Sequence, residues 1–589
     1  MPRKYTGKTS EKEIERVQQN GDIYVYLRTY WYDQESRNTK SKLKLLGIRN
    51  VETGEIEATR PKSKQSATDT AETPVTVKTK ANAMISIVKH FSDVSGVTSE
   101  VKHALPKDIG RAQKILTLAW YAFATDGRTW TRAIKWTSDY LSLLPYTHGC
   151  ITKDMYTDLF HYIGENDGIA WSIFEKRASQ FGEGELIAWD STVYECGVET
   201  VHDAAKGMTK EGFVADVYKV FFFYSVTSRK LICYVKIKGN LADSTTVPYA
   251  ISMIKRLNIP LPEVLQDNGY TDDNTIGELL HSKYHFISRL LPSTSWIKED
   301  LERNREALIN NSKPASIIFS DPEFSGVACS ITHTFHYVRK YKSIKKGLEA
   351  GDKNPIEATV QVFIYYSSAK KGIDDKKFRE QLANCRNDLL NGSNMDKDMK
   401  TILEKYLLVT YKKDGSIEKI EPNQKAIDER FKYHGFLIIV ADKEKDIEKA
   451  LIKFRTREKI EERIKGHKSH TGGDTSKTGS DEFLDGELLV EFLADCIRES
   501  MITKINSLET ELGVPNGESD HDSSEGMRVQ LSLKRWLRKN SIANILDAFD
   551  TTSIDEVSSS THSSKMVSSA VARDRLFLQS LNITDWGKA

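Results

Sequence analysis

Alternating apolar and polar residues characterise the first part of the chain and then give way to helical spacing. Residues 21–56 alternate aromatic or aliphatic side chains with polar ones, which predicts a small β-rich module. Residues 59–80 are rich in Thr, Ser, Lys and Pro, and we predict that they form a linker. From about residue 82 to residue 180, apolar residues recur at helical spacing with Gly and Pro as stops, so a helical domain follows.

The next hydrophobic pattern predicts three consecutive strands, followed by two strands that are each preceded by a helix. The three strands are in GELIAWDSTVYE, VYKVFFFYSVTS and KLICYVKIKG, and the two later ones are in PEVLQDNGY and YHFISRL. This order of elements is that of an RNase H-like α/β core, although the order alone also fits several other folds.

Beyond residue 290, irregular β-patterned segments alternate with charged, helix-prone ones, and we predict a large insertion within the core. The core resumes with the buried strand GFLIIVADK and the long charged helix DIEKALIKFRTREKIEERIKGHK. The predicted segments are a β-rich N-terminal module (1–58), a linker (59–80), a helical domain that is a candidate for DNA binding (81–180), the first part of the RNase H-like core (181–290), the β-rich insertion (291–433), the last core strand and helix (434–470), a C-terminal helical region (471–512) and a Ser-rich tail with an amphipathic helix (513–589).

Composition restricts the class of protein without identifying it. The 589 residues are 39% hydrophobic and 29% charged, which is an ordinary soluble balance. No apolar run approaches the roughly 18 residues of a membrane span, and the polar start lacks the apolar stretch of a signal peptide, so we expect a cytoplasmic protein. The six cysteines form no C-x-x-C pair, which argues against structural zinc and against a disulfide scaffold.

Because the net charge is only +2, any basic surface has to come from local clustering. Residues 1–65 hold 14 Lys+Arg against 9 Asp+Glu, which suits recognition of DNA ends but also an ordinary β-domain. The segment 338–347, VRKYKSIKKG, has five cations in ten residues and is either a DNA contact or the solvated rim of a hairpin. The N-terminal module, the helical domain and this segment are therefore the candidate surfaces for recognising DNA ends.

Three acidic residues lie where a sheet and a following helix would bring them together. Asp190 interrupts the apolar strand ELIAWDSTV, and a buried carboxylate is costly unless it is paired or bound to a cation. Asp267 follows the strand EVLQ directly before a turn, and Glu461 lies on the charged helix after the last core strand. Each has an ordinary structural explanation when taken alone: a hydrogen-bonded strand Asp, a turn residue and a solvated helix face.

Taken together, these motifs resemble the DDE transposases of bacterial insertion sequences, specifically the insertion-sequence-4-like branch and its insertion-sequence-1634-like members. That branch carries a Tyr-x2-Arg-x3-Glu-x6-Lys signature on its last core helix. The corresponding residues here are Phe454, Arg457, Glu461 and Lys468, with every spacing kept. Phe454 departs from the signature, because a phenyl ring cannot donate the hydrogen bond of a tyrosine. The resemblance covers roughly residues 180–500.

The resemblance implies a DNA transposase in which Asp190, Asp267 and Glu461 are the catalytic residues and hold Mg²⁺, for which Mn²⁺ can substitute. Arg457 and Lys468 would bind DNA phosphates, although helix-surface ion pairs with neighbouring glutamates are the alternative. The partners would be the terminal inverted repeats and target DNA, bound by a homodimer in a nucleoid-associated state. Two other functions stay open, namely a DNA-binding derivative without cleavage and an RNase H-like nuclease without strand transfer.

One further side chain is a candidate through the same resemblance. Relatives that form hairpin intermediates stack an unpaired base on an aromatic residue, and Trp296 in the predicted insertion is a conceivable stacking partner. Local packing of this tryptophan is the alternative.

Overall fold

The computed structural model divides into two compact units, residues 1–74 and 75–589. It describes residues 9–17, 23–33, 38–50, 53–57, 76–127, 129–196, 201–209, 214–241, 243–310, 317–319, 326–338, 355–391, 397–413, 417–457, 475–476, 480–512, 525–558, 563–568, 570–584 and 586.

The N-terminal unit contains an antiparallel sheet whose four strands follow one another in sequence order. The strands are β1 Ser10–Val17, β2 Ile23–Asp33, β3 Asn38–Arg49 and β4 Ile56–Glu57. Along β2, Val25 is completely buried while its neighbours are partly exposed, as expected for a strand with one covered face. Strands β2 and β3 lie within the alternating segment at residues 21–56, and β1 precedes it.

The second unit combines a large mixed sheet with many helices, so the protein belongs to the mixed α/β class. Its strands are β5 Thr76–Asn82, β6 Leu186–Cys196, β7 Ala205–Met208, β8 Val214–Ser225, β9 Lys230–Lys238, β10 Glu263–Gln266, β11 His285–Leu290, β12 Ile317–Phe319, β13 Gly326–Val338, β14 Pro355–Tyr366, β15 Leu407–Tyr411, β16 Ile417–Pro422, β17 Phe436–Ala441, β18 Thr475–Ser476, β19 Ser553–Ser558 and β20 Ser563–Val567. Its α-helices are α1 Ala83–Val94, α2 Val97–Ala104, α3 Ile109–Thr125, α4 Ala133–Asp139, α5 Lys153–Glu165, α6 Gly168–Ala178, α7 Asp243–Arg256, α8 Asp273–His281, α9 Lys298–Ile309, α10 Ser368–Asn391, α11 Lys397–Tyr406, α12 Gln424–Phe431, α13 Ile447–Arg455, α14 Asp481–Glu511, α15 Glu525–Lys539, α16 Ile542–Asp547 and α17 Ala572–Ser580.

Five strands surround the position of Asp190. Strands β6, β8 and β9 are antiparallel neighbours, and β10 and β11 continue the sheet on the other side of β6 as parallel strands. Each of these two parallel strands follows a helix, α7 before β10 and α8 before β11, as a parallel connection requires. The short strand β7, which the hydrophobic pattern did not predict, pairs with β8.

The sheet continues without a break into the segment predicted to be an insertion. Strand β17 has six buried residues and pairs antiparallel with β11 on one side and with β14 on the other. Strands β13 and β12 then extend the sheet from β14. A close contact joins this extension to the core: a Cβ atom added to Gly277 in α8 would lie 2.1 Å from the ring of Tyr337 in β13.

The helical domain is tied to the sheet by a buried ion pair and by the long helix α14. Arg177 of α6 donates to Glu100 of α2 at 2.6 Å and to the backbone carbonyl of Leu231 in β9. Helix α14 packs against α3 and α5 and also contacts β9, so the segment after residue 480 completes the helical domain. In the described part of the chain, no helix is long and apolar enough to cross a membrane.

Strand β5 begins at Thr76, inside the segment predicted to be a linker, and pairs with β19. The start of α1 depends on the same distant part of the chain. Asn82 donates to the carbonyl of Asp550 at 2.6 Å and accepts the capping hydrogen bond from the N–H of Ile85. Strand β19 and helix α15 both lie in the segment expected to be a Ser-rich tail, and α15 coincides with its amphipathic stretch.

Candidate active site

Asp190 lies in the middle of β6, where the burial of the strand changes from continuous to alternating. The four preceding strand residues are buried, whereas Asp190 and Ser191 are only partly so. One carboxylate oxygen, Oδ1, accepts hydrogen bonds from the backbone N–H of Ser191 at 2.9 Å and from the hydroxyl of Tyr270 at 3.2 Å. The aspartate is thus held in place by donors while part of its side chain reaches the surface.

Asp267 directly follows β10, as the sequence predicted, and β10 lies beside β6. The parallel register pairs Leu265 with Ala188. Two residues further along each strand, this register leads to Asp267 and Asp190 on the same face of the sheet, because side chains alternate with a period of two. Adjacent strands are about 4.8 Å apart, so the two aspartates occupy neighbouring positions at one edge of the core.

The turn after β10 directs Tyr270 back toward β6. The carbonyl of Asp267 accepts from the backbone N–H of Tyr270 at 3.1 Å and from the hydroxyl of Thr271 at 2.8 Å. Asp272 then begins α8 with a reciprocal capping box, which fixes where the turn ends. The turn therefore positions both Asp267 and the ring of Tyr270.

Tyr270 is a site residue that sequence reasoning missed. Its side chain is 2% exposed and packs against Phe221, and its hydroxyl also accepts from the N–H of Ser191 at 2.9 Å. A signal was present in the DNGY motif, because a tyrosine beside a turn is commonly buried with its hydroxyl bonded to a polar neighbour. The motif predicts a turn and the position of Asp267, but it does not by itself indicate a contact between Tyr270 and Asp190.

The helix after β17 ends earlier than predicted, and Arg457 lies in the turn that follows it. Helix α13 ends at Arg455, and the N–H of Arg457 bonds back to the carbonyl of Phe454 at 3.1 Å. The prediction of one helix that carries Arg457 together with Glu461 is therefore wrong for Arg457. Short backward hydrogen bonds tighten the last turn and end the helix without a glycine or a proline.

Arg457 contacts Asp267 directly. Its Nη2 atom donates to Oδ2 of Asp267 at 3.0 Å, and the two side chains are 12% and 23% exposed. The amide of Asn268, in the orientation that satisfies both of its ends, donates to the same carboxylate at 3.0 and 3.2 Å. The arginine predicted to bind phosphate is thus placed beside the second aspartate, where its planar group neutralises part of the negative charge.

The two residues before Arg455 serve the fold. Phe454, which stands at the tyrosine position of the signature, is 8% exposed and belongs to the main hydrophobic core. Lys453 donates to Glu263 at 2.9 Å and forms an ion pair with Glu444 at 3.1 Å. Burial lowers the pKa of Lys453, but its hydrogen bonds with these two carboxylates outweigh that effect and raise it.

Several predicted site residues lie outside the described residues. These are Glu461, Lys468 and the cations of the basic segment 339–347. The described chain stops at Arg457 and resumes at Thr475, which pairs with Glu195 further along β6. In the described ranges, no three His, Cys, Asp or Glu side chains form a group that could hold a metal ion.

Trp296 packs locally. Its indole N–H donates to Asp273 at 2.8 Å, and its ring lies 4.7 Å from that of His333 and 5.4 Å from that of Phe335, measured between centroids. These contacts fix the ring against β13 at the start of α8.

The arrangement of the two aspartates determines what the site can do chemically. Two partly exposed carboxylates on adjacent strands offer the oxygen ligands that Mg²⁺ and Mn²⁺ prefer. Arg457 beside them supplies a permanent positive charge and a fork of donors that fits a phosphate. The region where β10 ends beside the middle of β6 therefore combines groups that can bind a cation with a group that can bind a phosphate.

Comparison with known proteins adds little to this description. No protein-family model matches the chain, and no curated protein matches it. Among solved structures, the chain is similar to a piggyBac transposase in a cryo-EM structure of its synaptic complex with hairpin DNA. The similarity covers 79% of this chain and 83% of that one, with 12% identity and a TM-score of 0.33.

Proposed function

We propose that this chain is a DDE-type DNA transposase that cleaves DNA at transposon ends and transfers the cut strand into target DNA. The observation that carries the proposal is the placement of Asp190 and Asp267 at neighbouring positions on parallel strands, with Arg457 at 3.0 Å from the second aspartate. Asp190 lies 77 residues before Asp267, and Arg457 lies 190 residues after it. The fold thus brings distant parts of the chain together at the end of β10. These three residues come from the three motifs that the resemblance identified.

The core topology supports the same proposal. Three antiparallel neighbours, β6, β8 and β9, are followed by the helix-linked parallel strands β10 and β11, which is the element order expected for an RNase H-like core. In an open α/β sheet, functional groups collect at the ends of the strands. Asp267 occupies such a strand end.

The short spacing between Arg457 and Glu461 supports the proposed role of Glu461. Glu461 follows Arg457 by four residues, and four residues of extended chain span at most about 14 Å. Because Arg457 contacts Asp267, this spacing is compatible with the proposal that Glu461 acts together with the two aspartates. Lys468 is further along the same segment, and its proposed contact with phosphate stays a prediction.

In the proposed reaction, Asp190, Asp267 and Glu461 would hold Mg²⁺, with Mn²⁺ as a substitute. The metal would activate a water molecule or a 3′-hydroxyl and stabilise the charge on the transferred phosphate. Tyr270 and the N–H of Ser191 hold Asp190 in its orientation. Arg457 provides the positive charge next to Asp267 and would bind a DNA phosphate beside the scissile bond. Two ends have to be held together for joining, so a homodimer on DNA is part of the proposal.

The test uses purified full chain, Mg²⁺ and labelled duplexes carrying the DNA that flanks the coding sequence. Wild type should cut and join these ends, whereas Asp190→Asn, Asp267→Asn and Glu461→Gln should bind them without cutting. Asp216→Asn is the matched control, because Asp216 is an exposed carboxylate on β8 that pairs with Lys206. Cutting without joining would favour a nuclease, and binding without cutting in Mg²⁺ and in Mn²⁺ would favour a DNA-binding derivative.

A further inference from the structure

Helix α15 has an unusual balance of charge. Its sequence, EGMRVQLSLKRWLRK, contains five cations and a single carboxylate, Glu525 at its start. The cations are Arg528, Lys534, Arg535, Arg538 and Lys539. The hydrophobic pattern of the sequence identified this stretch as amphipathic, and the proposed catalytic site does not use it.

The apolar side of α15 is covered by the protein itself. Leu533 and Leu537 are 0% and 3% exposed, and the helix packs against α17. Trp536 lies beside them, with its ring 6.2 Å from that of Phe549 and 6.4 Å from that of Phe577. A basic amphipathic helix binds a bilayer by inserting its apolar side. That side is not accessible here, so the physical basis for membrane binding is missing.

The opposite side of α15 is exposed and carries three of the cations. Arg528, Ser532, Arg535 and Lys539 are all exposed, and their spacing of 4, 3 and 4 residues puts them on one side of the helix. They line an open groove of ≈ 550 Å³ together with Leu531, Trp536 and Asn540. The two remaining cations point elsewhere, since Arg538 donates to Glu509 at 3.0 Å and Lys534 to the carbonyl of Leu512 at 3.3 Å.

We propose that this basic face of α15, formed by Arg528, Ser532, Arg535 and Lys539, binds the phosphate backbone of duplex DNA. The face extends over eleven residue steps, or about 16 Å at 1.5 Å per residue. Duplex DNA rises about 3.4 Å per base pair, so the face spans roughly five base pairs. Cations on one side of a helix, with a hydroxyl between them, match a row of phosphate oxygens in charge and in hydrogen bonding.

The contact is expected to be independent of base sequence. Arginine and lysine side chains that bind phosphates position a protein on DNA, and only contacts to base edges read the sequence. The inference rests on the proposed function for the identity of the polymer, which is DNA, but not on any catalytic step. It adds a fourth candidate DNA surface to the three suggested by the sequence.

Salt dependence of DNA binding gives the test, because each neutralised phosphate contributes about 0.9 to the slope of log affinity against log salt concentration. The full chain is compared with a variant carrying Arg528→Gln, Arg535→Gln and Lys539→Gln, using a random-sequence DNA duplex. The slope should fall in magnitude by about 2.7, and affinity at low salt should fall by about tenfold or more. The melting temperature should hardly change, since the three side chains are exposed.

A matched variant controls for the loss of overall charge. Lys376→Gln, Lys377→Gln and Arg386→Gln remove three exposed cations from α10, a helix that carries acidic residues as well. This variant should keep the wild-type slope. The inference would be overturned if both variants had the same slope. It would also be overturned if the α15 variant lost affinity for duplex RNA or for an acidic protein but not for duplex DNA.

The outcomes also separate this inference from the proposed function. If the α15 variant shows the expected change in slope on duplex DNA but wild type never cuts, the inference stands and the transposase proposal fails. If wild type cuts and joins ends while the α15 variant keeps the wild-type slope, the inference alone fails.

Discussion

The hydroxyl of Tyr270 lies 3.2 Å from Oδ1 of Asp190, which joins two motifs that are 80 residues apart in the sequence. The same hydroxyl accepts from the N–H of Ser191 at 2.9 Å. Because Tyr270 also belongs to the turn that begins at Asp267, a single buried ring couples the positions of the two aspartates. Tyr270 is therefore a positioning residue and does not itself have to contact DNA.

Removing this hydroxyl should weaken the site more than the fold. We expect Tyr270→Phe to keep DNA binding but to lower Mg²⁺ affinity or cleavage by about 10- to 100-fold, as loss of a group that orients a metal ligand does. The free energy of unfolding should fall by only about 0.5–1.5 kcal/mol, the net contribution of a typical hydrogen bond, because the N–H of Ser191 keeps Oδ1 of Asp190 as an acceptor. A Mg²⁺ titration of cleavage measures the first effect, and denaturant unfolding measures the second.

Tyr224→Phe is the matched control for Tyr270→Phe. Tyr224 is also 2% exposed, and its hydroxyl donates to the carboxylate of Glu499 at 2.9 Å. This hydrogen bond does not involve either of the two aspartates. It should lose a similar amount of stability and keep the wild-type Mg²⁺ dependence. An unchanged Mg²⁺ dependence in Tyr270→Phe would remove the positioning role.

The ion pair between Arg457 and Asp267 leads to a second prediction. Arg457→Ala should lower cleavage by about 100-fold or more, the usual effect of removing a charged donor from the transition state. Arg457→Lys should recover only part of the activity, because lysine keeps the charge but loses the planar fork. Rates of end cleavage at saturating Mg²⁺ distinguish the two variants.

Lys453→Ala provides the comparison for Arg457→Ala, four residues earlier in the chain. Lys453 pairs with Glu263 at the start of β10, whereas Arg457 pairs with Asp267, the residue that follows β10. Loss of the lysine should reduce the free energy of unfolding, since Glu263 is 7% exposed and loses its partner. The folded variant should cleave like wild type. Equal losses of cleavage in both variants would mean that the arginine acts only through stability.

The contact between α8 and β13 leads to a third prediction. A Cβ atom at position 277 would lie 2.1 Å from the ring of Tyr337, which is 8% exposed and cannot move without disturbing its neighbours. Gly277→Ala should therefore lower the free energy of unfolding by about 1–3 kcal/mol. Gly372→Ala in α10 meets nothing within 4 Å and should raise it by about 0.5–1 kcal/mol. Denaturant unfolding of both variants checks the pair, and a stabilised Gly277→Ala would contradict the close packing.

The carboxyl group of Glu487 on α14 leads to a prediction about pH. Burial raises its pKa to about 7, against the opposing effect of a hydrogen bond from the indole N–H of Trp130 at 2.6 Å. The folded state therefore holds a proton that the unfolded state releases near pH 4.5. The resulting stabilisation is complete below pH 4.5 and is lost as pH rises through about 7.

Glu487→Gln keeps an acceptor for Trp130 and removes the titration. We expect wild type and variant to have similar stability at pH 4.5, and the variant to be more stable by about 1–3 kcal/mol at pH 8. Glu380→Gln, on the exposed side of α10, should show no such difference. Thermal or denaturant unfolding at the two pH values measures it, and parallel pH profiles would show that the Glu487 carboxyl does not titrate in this range.

Much of the core could be predicted because its strands have strong local patterns. Strands β6, β8 and β9 and the aspartate at the end of β10 were visible from runs of apolar residues and from one turn motif. The end of α13 was not visible, since neither Thr456 nor Arg457 is a helix breaker. That end depends on the local hydrogen bonds and on the tertiary contact with Asp267.

The continuity of the sheet was also beyond local reasoning. Strand β17 lies between β11 and β14, which come from segments about 150 and 70 residues earlier in the chain. Periodicity identifies a buried strand but contains no information about its partners. Tyr270 was missed for a related reason, because its partner Asp190 is distant in sequence and only the register of β10 against β6 brings the two together.

The pairing of β5 with β19 sets an order of events during synthesis. The amide of Asn82, which caps helix α1, donates to the carbonyl of Asp550, and the N–H of Ala83 donates to the carbonyl of Thr552; these partners are made more than 460 residues later. Domains fold as the ribosome releases them, and contacts that close a long loop form late. The second unit therefore cannot finish folding until residues 553–558 have emerged, so nascent chains that carry both aspartates still lack a closed domain around them.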